Sequence, residues 1–299
     1  MSFPLLPDWG YALLSVISFT FASFLFRVMV REAGPVWTNA FKATVAASIF
    51  AGVFVVSGME LPPVLAGTSI AFLMISGFLG LNLSDYLMLQ AYHRIGPART
   101  MIIYRSQPLY LGLLAYLFLG QALQVQHVGA ILLFILCVGI LAYEKRRIDG
   151  HWDKVGLGLA VGGMLLDGTG IFLTRMGFEM SPGLGSQLAN LIRATGALIG
   201  FFLISKIFAP IELVGKFRGL SPRLKGLAFL GAMMGSYIGL SLWLKAIQFG
   251  QVARVTSVAG VAPMLALGIE SGLARRWPSR YAWTALALSM VAFYLLTRE

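Results

Sequence analysis

Charge is what this sequence has least of. Only 12% of its 299 residues are Asp, Glu, Lys or Arg, while 58% are hydrophobic. A soluble domain carries about 25% charged residues, so half that share points to lipid as the surrounding solvent. The mean hydropathy, +0.81, agrees. Cysteine is nearly missing as well: Cys137 is alone, which excludes an intramolecular disulfide. His93, His127 and His151 stand apart from one another, so no H-E-x-x-H, triad or metal-ligand pattern is present. No metal or cofactor is therefore expected. The chain lacks the G-x-x-x-x-G-K-[ST] phosphate loop, which argues against ATP drive. It also lacks a clustered nucleophile or acid–base pair, which argues against an enzyme.

Acidic residues are scarce, 12 against 23 basic ones, giving a net charge of +11. In a membrane protein basic residues first report orientation, so nucleic acid is not an expected partner. The opening MSFPLLPDWG holds no Lys or Arg and no A-x-A site follows, so the first apolar run reads as a retained helix rather than a signal peptide.

A spanning helix needs about 20 apolar residues. Runs bounded by Pro, Gly and charge give ten candidates: 9–30, 36–57, 68–92, 98–119, 125–143, 155–177, 184–207, 223–249, 252–273 and 279–296. Backbone groups in hydrocarbon must bond internally, which predicts helices throughout. Gly231, Gly235 and Gly239 form a stripe on the eighth run, the pattern of close helix packing.

The chain repeats itself. Asn39-Ala-Phe-Lys42-Ala-Thr44 aligns with Asn190-Leu-Ile-Arg193-Ala-Thr195, and Arg27 with Arg175. Farther on, QAYHRIGPART (90–100) aligns with KAIQFGQVARV (245–255), and at that offset Pro108 meets Pro263. Residues 1–147 and 148–299 thus read as two copies of one five-helix unit. Five is odd, so the second copy enters the membrane from the opposite side. The expected fold is an all-α integral membrane protein with ten transmembrane helices in two inverted repeats, a transporter architecture with its site near the midplane. Lys42 and Arg193 then become pseudo-symmetric basic groups, each about two turns into its helix. Snorkelling to the headgroups is the competing explanation for both.

The stretch NLSDYLMLQAYHRIGPARTMIIYRSQPLYLGLLAYLFLGQALQVQHVGAILLFILCVGILAY resembles the EamA repeat of the drug/metabolite transporter superfamily. The features that carry the likeness are an Ala-rich end of helix 3, a mid-helix Pro, FLGQAL before helix 5 and a Gly-containing helix 5. LWLKAIQFGQVARVTSVAGVAPMLALGIESGLA is similar to the same unit in weaker form. The resemblance implies a permease-type transporter of ten helices, a central cavity and export of small metabolites. In one departure, LGQAL replaces the family's acidic LGE.

Sixteen Lys and Arg residues fall on one side of this arrangement and four on the N-terminal side, with Lys42, Arg105 and Arg193 inside spans. The positive-inside rule puts the sixteen in the cytoplasm. An inner-membrane protein with both termini outside is the result, whereas the resemblance implies both inside.

Ionisable residues at membrane depth are functional candidates by default. They are Asp85, Arg105, Asp167 and Glu270 beside Lys42 and Arg193. Asn39, Asn190, Tyr86, Tyr104 and Tyr237 are expected to help bind substrate, and Pro108 and Pro263 to act as hinges. Asp85 reads equally as half of a structural ion pair. Cationic and anionic groups together suit a small anionic or zwitterionic metabolite such as an amino acid or organic acid, with proton coupling at Asp85 or Asp167. Drug or cation efflux, or a flippase for a lipid-linked substrate, would use the same fold. Partners are limited to the small-molecule substrate and membrane lipid; monomer and homodimer both stay open.

Overall fold

The computed structural model describes residues 6–57, 62, 65–104, 106–119, 125–150, 153–207, 210–249, 258, 261–275 and 277–297. These are helical with no strand among them. In chain order they form α1 (Asp8–Ala33), α2 (Pro35–Val56), α3 (Gly67–Ser76), the π-helical segment π1 (Gly77–Ser84), α4 (Asp85–Ile95), α5 (Pro97–Tyr104), α6 (Gln107–Leu119) and α7 (Val125–Asp149). Then come α8 (Lys154–Met180), α9 (Ser186–Ile207), α10 (Leu213–Gly219), α11 (Pro222–Gly231), π2 (Ala232–Gly239), α12 (Leu240–Phe249), α13 (Ala262–Ala274) and α14 (Arg280–Thr297).

Among the described residues six helices are long and apolar enough to cross a membrane: α1, α2, the continuous α3–π1–α4, α8, α9 and α11–π2–α12. Ten were expected. The fourth expected span is split, because α5 stops at Tyr104 and α6 starts at Gln107, and part of the ninth lies at 250–257, outside the described residues. Pro108 and Pro263 account for some of the difference. Each stands in the first turn of its helix, α6 or α13, rather than in mid-helix. There the missing N–H has no acceptor to lose. The expected proline kinks are thus helix starts, and the chain at Ser106 turns back on Ile103 instead.

The two sequence repeats interleave. α1 of the first copy packs along α11–π2–α12 of the second, and α8 of the second along α3–π1–α4 of the first. α2 lies against α9 between them, through Ala40, Ala43, Ala197 and Phe201. α7 and α14 pair at the periphery, where Cys137 Sγ donates to the Ala285 carbonyl at 3.2 Å. The core is rich in alanine, including Ala91, Ala98, Ala160, Ala266 and Ala285. Where lipid rather than water surrounds the helices, small residues let backbones meet and dispersion replace the hydrophobic drive. Large apolar side chains such as Val56, Leu117, Phe118 and Ile135 are left facing outward.

The interleaved contacts explain the π segments. Ser69, Ser76 and Ser84 donate to the carbonyls of Gly177, Gly170 and Gly163 on α8. Those carbonyls are seven residues apart each time, but the serines are spaced seven and then eight. One extra residue must be absorbed between Ser76 and Ser84, and π1 occupies that interval. The second copy repeats this. Gly231, Gly235 and Gly239 lie against Phe26, Ala22 and Phe19 of α1, eight residues against seven, and π2 fills the interval. The expected glycine stripe is therefore a packing surface. A Cβ on Gly235 would come within 2.8 Å of that of Ala22. π1 and π2 stand at one sequence offset, the offset that also relates Pro108 to Pro263. Single-turn π-bulges arise from such insertions and recur at functional sites.

Candidate functional site

A narrow cavity lies where α2, π1–α4, α9 and π2–α12 converge, between the two repeats. Lys42 and Asp85 line it with Phe50, Leu81, Ser236 and Leu240 among others. Its volume is about 10 Å³, room for about one water, so this conformation is closed to any metabolite.

Lys42 projects from α2 two turns past Pro35. Its ammonium donates to the Asp85 carboxylate at the start of α4, and it also sits 5.3 Å from the centre of the Phe26 ring on α1. The two side chains are 7% and 16% exposed, which rules out a lysine extended to the headgroups. Asp85 is thus paired, as one of its two readings required. Its partner is the duplicated lysine itself.

Arg193 does not share that cavity. It is 3% exposed and lies in the groove between π1 and α8, where Nε donates to Ser76 Oγ at 3.0 Å. The position equivalent to Asp85 in the second copy is Leu240, so Arg193 has no equivalent carboxylate; among the described residues no carboxylate comes within ion-pair distance of it. Asp167 on α8 is close by. A Cβ on Gly80 would stand 3.6 Å from both Arg193 Nη2 and Asp167 Oδ1. Asp167 accepts from Gln107 Nε2 at 2.7 Å, and the charges of Asp85, Arg193 and Lys42 all act on it. The duplicated basic groups have therefore diverged, one ion-paired at the cavity and one in a polar network behind it.

The duplicated asparagines serve the π segments. Asn39 Nδ2 donates to the Asn82 carbonyl at 2.7 Å, and Asn190 Nδ2 to the Leu240 carbonyl at 3.3 Å. A carbonyl has two lone pairs, and the Asn82 carbonyl also accepts from the Asp85 backbone N–H. Asn82 in turn donates to Ala197 on α9 at 3.0 Å. Tyr237 packs behind the cavity on Phe50, ring centres 5.1 Å apart. The Tyr104 hydroxyl reaches Ser84 at 3.5 Å and belongs to the Asp167 side of the site. Tyr86 accepts from Gln90 on its own helix and does not line the cavity. Arg105 and the Pro108 side chain lie outside the described residues.

Glu270 belongs elsewhere. It faces Arg27 of α1 at 3.6 Å, across Gly96, whose φ of +88° and missing side chain leave room for both. At the same end Glu144, 2% exposed, takes Arg99 Nε at 2.9 Å and the Ser279 hydroxyl, and Arg94 meets Asp153 at 3.4 Å. These pairs join α1, α4, α5, α7, α8, α13 and α14 into an ionic layer across one end of the bundle.

Gln107, Phe26 and the three serines were not singled out from sequence, and Arg27 was aligned with Arg175 without being named a site residue. The serines carried a readable signal, since their spacing marks one helix face with a one-residue slip. The partner Phe26 carried none.

With two copies of one unit interleaved around a charged cavity, the family profile that matches the chain is decisive: that of the EamA-like transporter family, over residues 9–143 and again over 154–298. The chain belongs to the EamA-like transporter family. The fold of this EamA-like protein is also that of a solved crystal structure with TM-score 0.65 and 18% identity, covering 96% of this chain and 94% of the other. No curated protein matches it. It is a multi-pass membrane protein of a transporter family, and its two matched segments coincide with the interleaved halves.

Proposed function

We propose that this EamA-like protein exports a small anionic or zwitterionic metabolite, an amino acid or organic acid, by alternating access between two inverted five-helix halves, ten spans in all. The observation that carries the reading is the Lys42–Asp85 pair lining the cavity between the repeats. A buried ion pair is replaced at least cost by another ion pair in the same place, because neither charge is then left unpaired. A zwitterion does this: its carboxylate takes the Lys42 ammonium and its amine takes Asp85. The closed cavity requires the helices to part before that exchange. Asp167, held by Gln107 beside Arg193, is the second carboxylate available for proton coupling. The basic end, with its ionic layer, faces the cytoplasm in this reading, and both termini face away from it.

Thermal stability of the purified protein against amino acids, organic acids, nucleotides and hydrophobic cations tests this, because a ligand that binds only the folded state raises its stability. Amino acids or organic acids are expected to stabilise wild type and to lose their effect in Lys42→Ala. Stabilisation by cations alone, lost in Asp85→Asn and kept in Lys42→Ala, would replace this reading with cation efflux.

A further inference from the structure

A second, larger recess lies far from the cavity, on the outer face of the bundle. It is a groove of about 460 Å³ between the end of α13 and the start of α14, and its wall includes Met264, Gly268, Gly272, Arg275, Trp277 and Trp283. Its floor is bare. Among the described residues no atom comes within 4 Å of where a Cβ on Gly268 or Gly272 would stand. Its sides are apolar and open, with Met264 45%, Trp283 48% and Trp277 90% exposed. A groove with none of the described residues packed over Gly268 and Gly272, in a protein whose surroundings are hydrocarbon, suits an acyl chain.

The mouth of the groove has different chemistry. Arg275 closes α13 at φ 50° and ψ 37°, the one positive φ on a residue other than glycine among the described residues. Glycine is the usual occupant of that helix-end position because it has no Cβ to clash. Here the chain accepts the strain and keeps a guanidinium. Arg275 is exposed and makes no ion pair among the described residues, while the nearest acid along the helix, Glu270, is engaged by Arg27. Arg280, also exposed, follows on α14. Among the described residues no carboxylate lines the groove to receive a headgroup amine. Exposed tryptophans beside it are the usual markers of headgroup depth, and the groove lies at the end of the bundle that carries most of the basic residues.

We infer that this groove is a binding site for one anionic phospholipid. The phosphodiester sits on Arg275, the headgroup lies between Trp277 and Trp283, and an acyl chain runs over Gly272 and Gly268 to Met264. The site is independent of the cavity and of the substrate proposed for it. Cytoplasmic-leaflet anionic lipid is attracted to basic clusters of this kind, and the groove adds a shape that a bare basic patch lacks.

The test is native mass spectrometry of the delipidated full chain with dioleoylphosphatidylglycerol or dioleoylphosphatidylcholine, on wild type, Arg275→Gly, Arg275→Lys and Lys216→Ala. Glycine suits the left-handed backbone, so Arg275→Gly removes the charge without threatening the fold. Wild type is expected to bind one phosphatidylglycerol about tenfold more tightly than phosphatidylcholine, the weight of one good charge contact. Arg275→Gly should lose that preference, Arg275→Lys should recover part of it, and Lys216→Ala, at a basic site on α10, should keep it. Bromine on the acyl chain should quench wild-type fluorescence more than that of Trp277→Phe. Equal binding of the two lipids, a preference that survives Arg275→Gly, or a dimer that forms through Gly268 and Gly272 and abolishes the quenching would each overturn the assignment.

Discussion

Asn39 holds a turn of π helix in place: its side-chain amide reaches the Asn82 carbonyl, 2.7 Å away on another helix. Both residues are buried, so no water can take over. The Asn82 carbonyl also accepts from the Asp85 backbone N–H, so the amide supplies one further buried hydrogen bond, about 0.5–1.5 kcal/mol. Asn39→Ala should therefore lower the apparent Tm in detergent. Asn190→Ala should do so by less, since its bond, to the Leu240 carbonyl just past π2, is longer at 3.3 Å. Equal losses would mean that the π segments do not depend on these amides.

Removing one partner from a buried ion pair strands the other charge, at about 3–5 kcal/mol. Lys42→Ala should thus destabilise strongly through Asp85, and the double variant Lys42→Met/Asp85→Leu should regain most of the loss. Transport in proteoliposomes should stay absent in the double variant. A double variant that is both stable and active would reduce the pair to a structural role.

The eight-against-seven spacing between Ser76–Ser84 and Gly170–Gly163 implies that π1 exists to absorb one residue. Deleting Leu79 should restore a regular α-helix with the serine bonds still in register. The shortened protein should express and remain monodisperse, with transport at least about tenfold lower, as π-bulges near sites serve function more than stability. Aggregation on deletion would show that the bulge is needed for folding.

Gly77 is pressed against the backbone of Arg193, so that a Cβ there would overlap its carbonyl. Gly77→Ala must push α9 off π1, and overpacking of this kind costs about 1–3 kcal/mol or more. Gly112, with open space where its Cβ would be, gives the contrast. Gly112→Ala should be neutral or slightly stabilising, because a helical glycine costs about 0.5–1 kcal/mol relative to alanine. Comparing the two apparent Tm values checks the packing directly.

Arg27 and Glu270 tie the first repeat to the second at the ionic end of the bundle. With the pair broken, that end should open more often. In a Cys137→Ser background, Thr100→Cys is expected to react faster with a polar maleimide when Glu270→Gln is added. Thr100 is fully buried, so an unchanged rate would show that the pair does not restrain opening.

Much of this was legible in the residues themselves. Asn39–Thr44 and Asn190–Thr195 disclosed the duplication, and hydrophobic runs located the helices because backbone in lipid has no other way to satisfy its hydrogen bonds. The run at 98–119 hid a break at Ser106, since apolar composition continues across it and Pro108 begins the helix anew. The serine spacing held the π segment in plain view, yet it meant nothing until set against the spacing of the α8 glycines.

The sequence by itself determined a lipid-embedded, duplicated helical protein, because composition and periodicity are properties of each segment alone. Only the tertiary structure decided that Lys42 belongs with Asp85, that Glu270 belongs with Arg27, and that Arg193 turns away from the cavity its counterpart faces. Those outcomes depend on the rotation and register of one helix against another. They are set by small residues, Gly77, Gly163, Gly170 and Gly235, whose contribution is the closeness they permit, and closeness between helices is not written in either one.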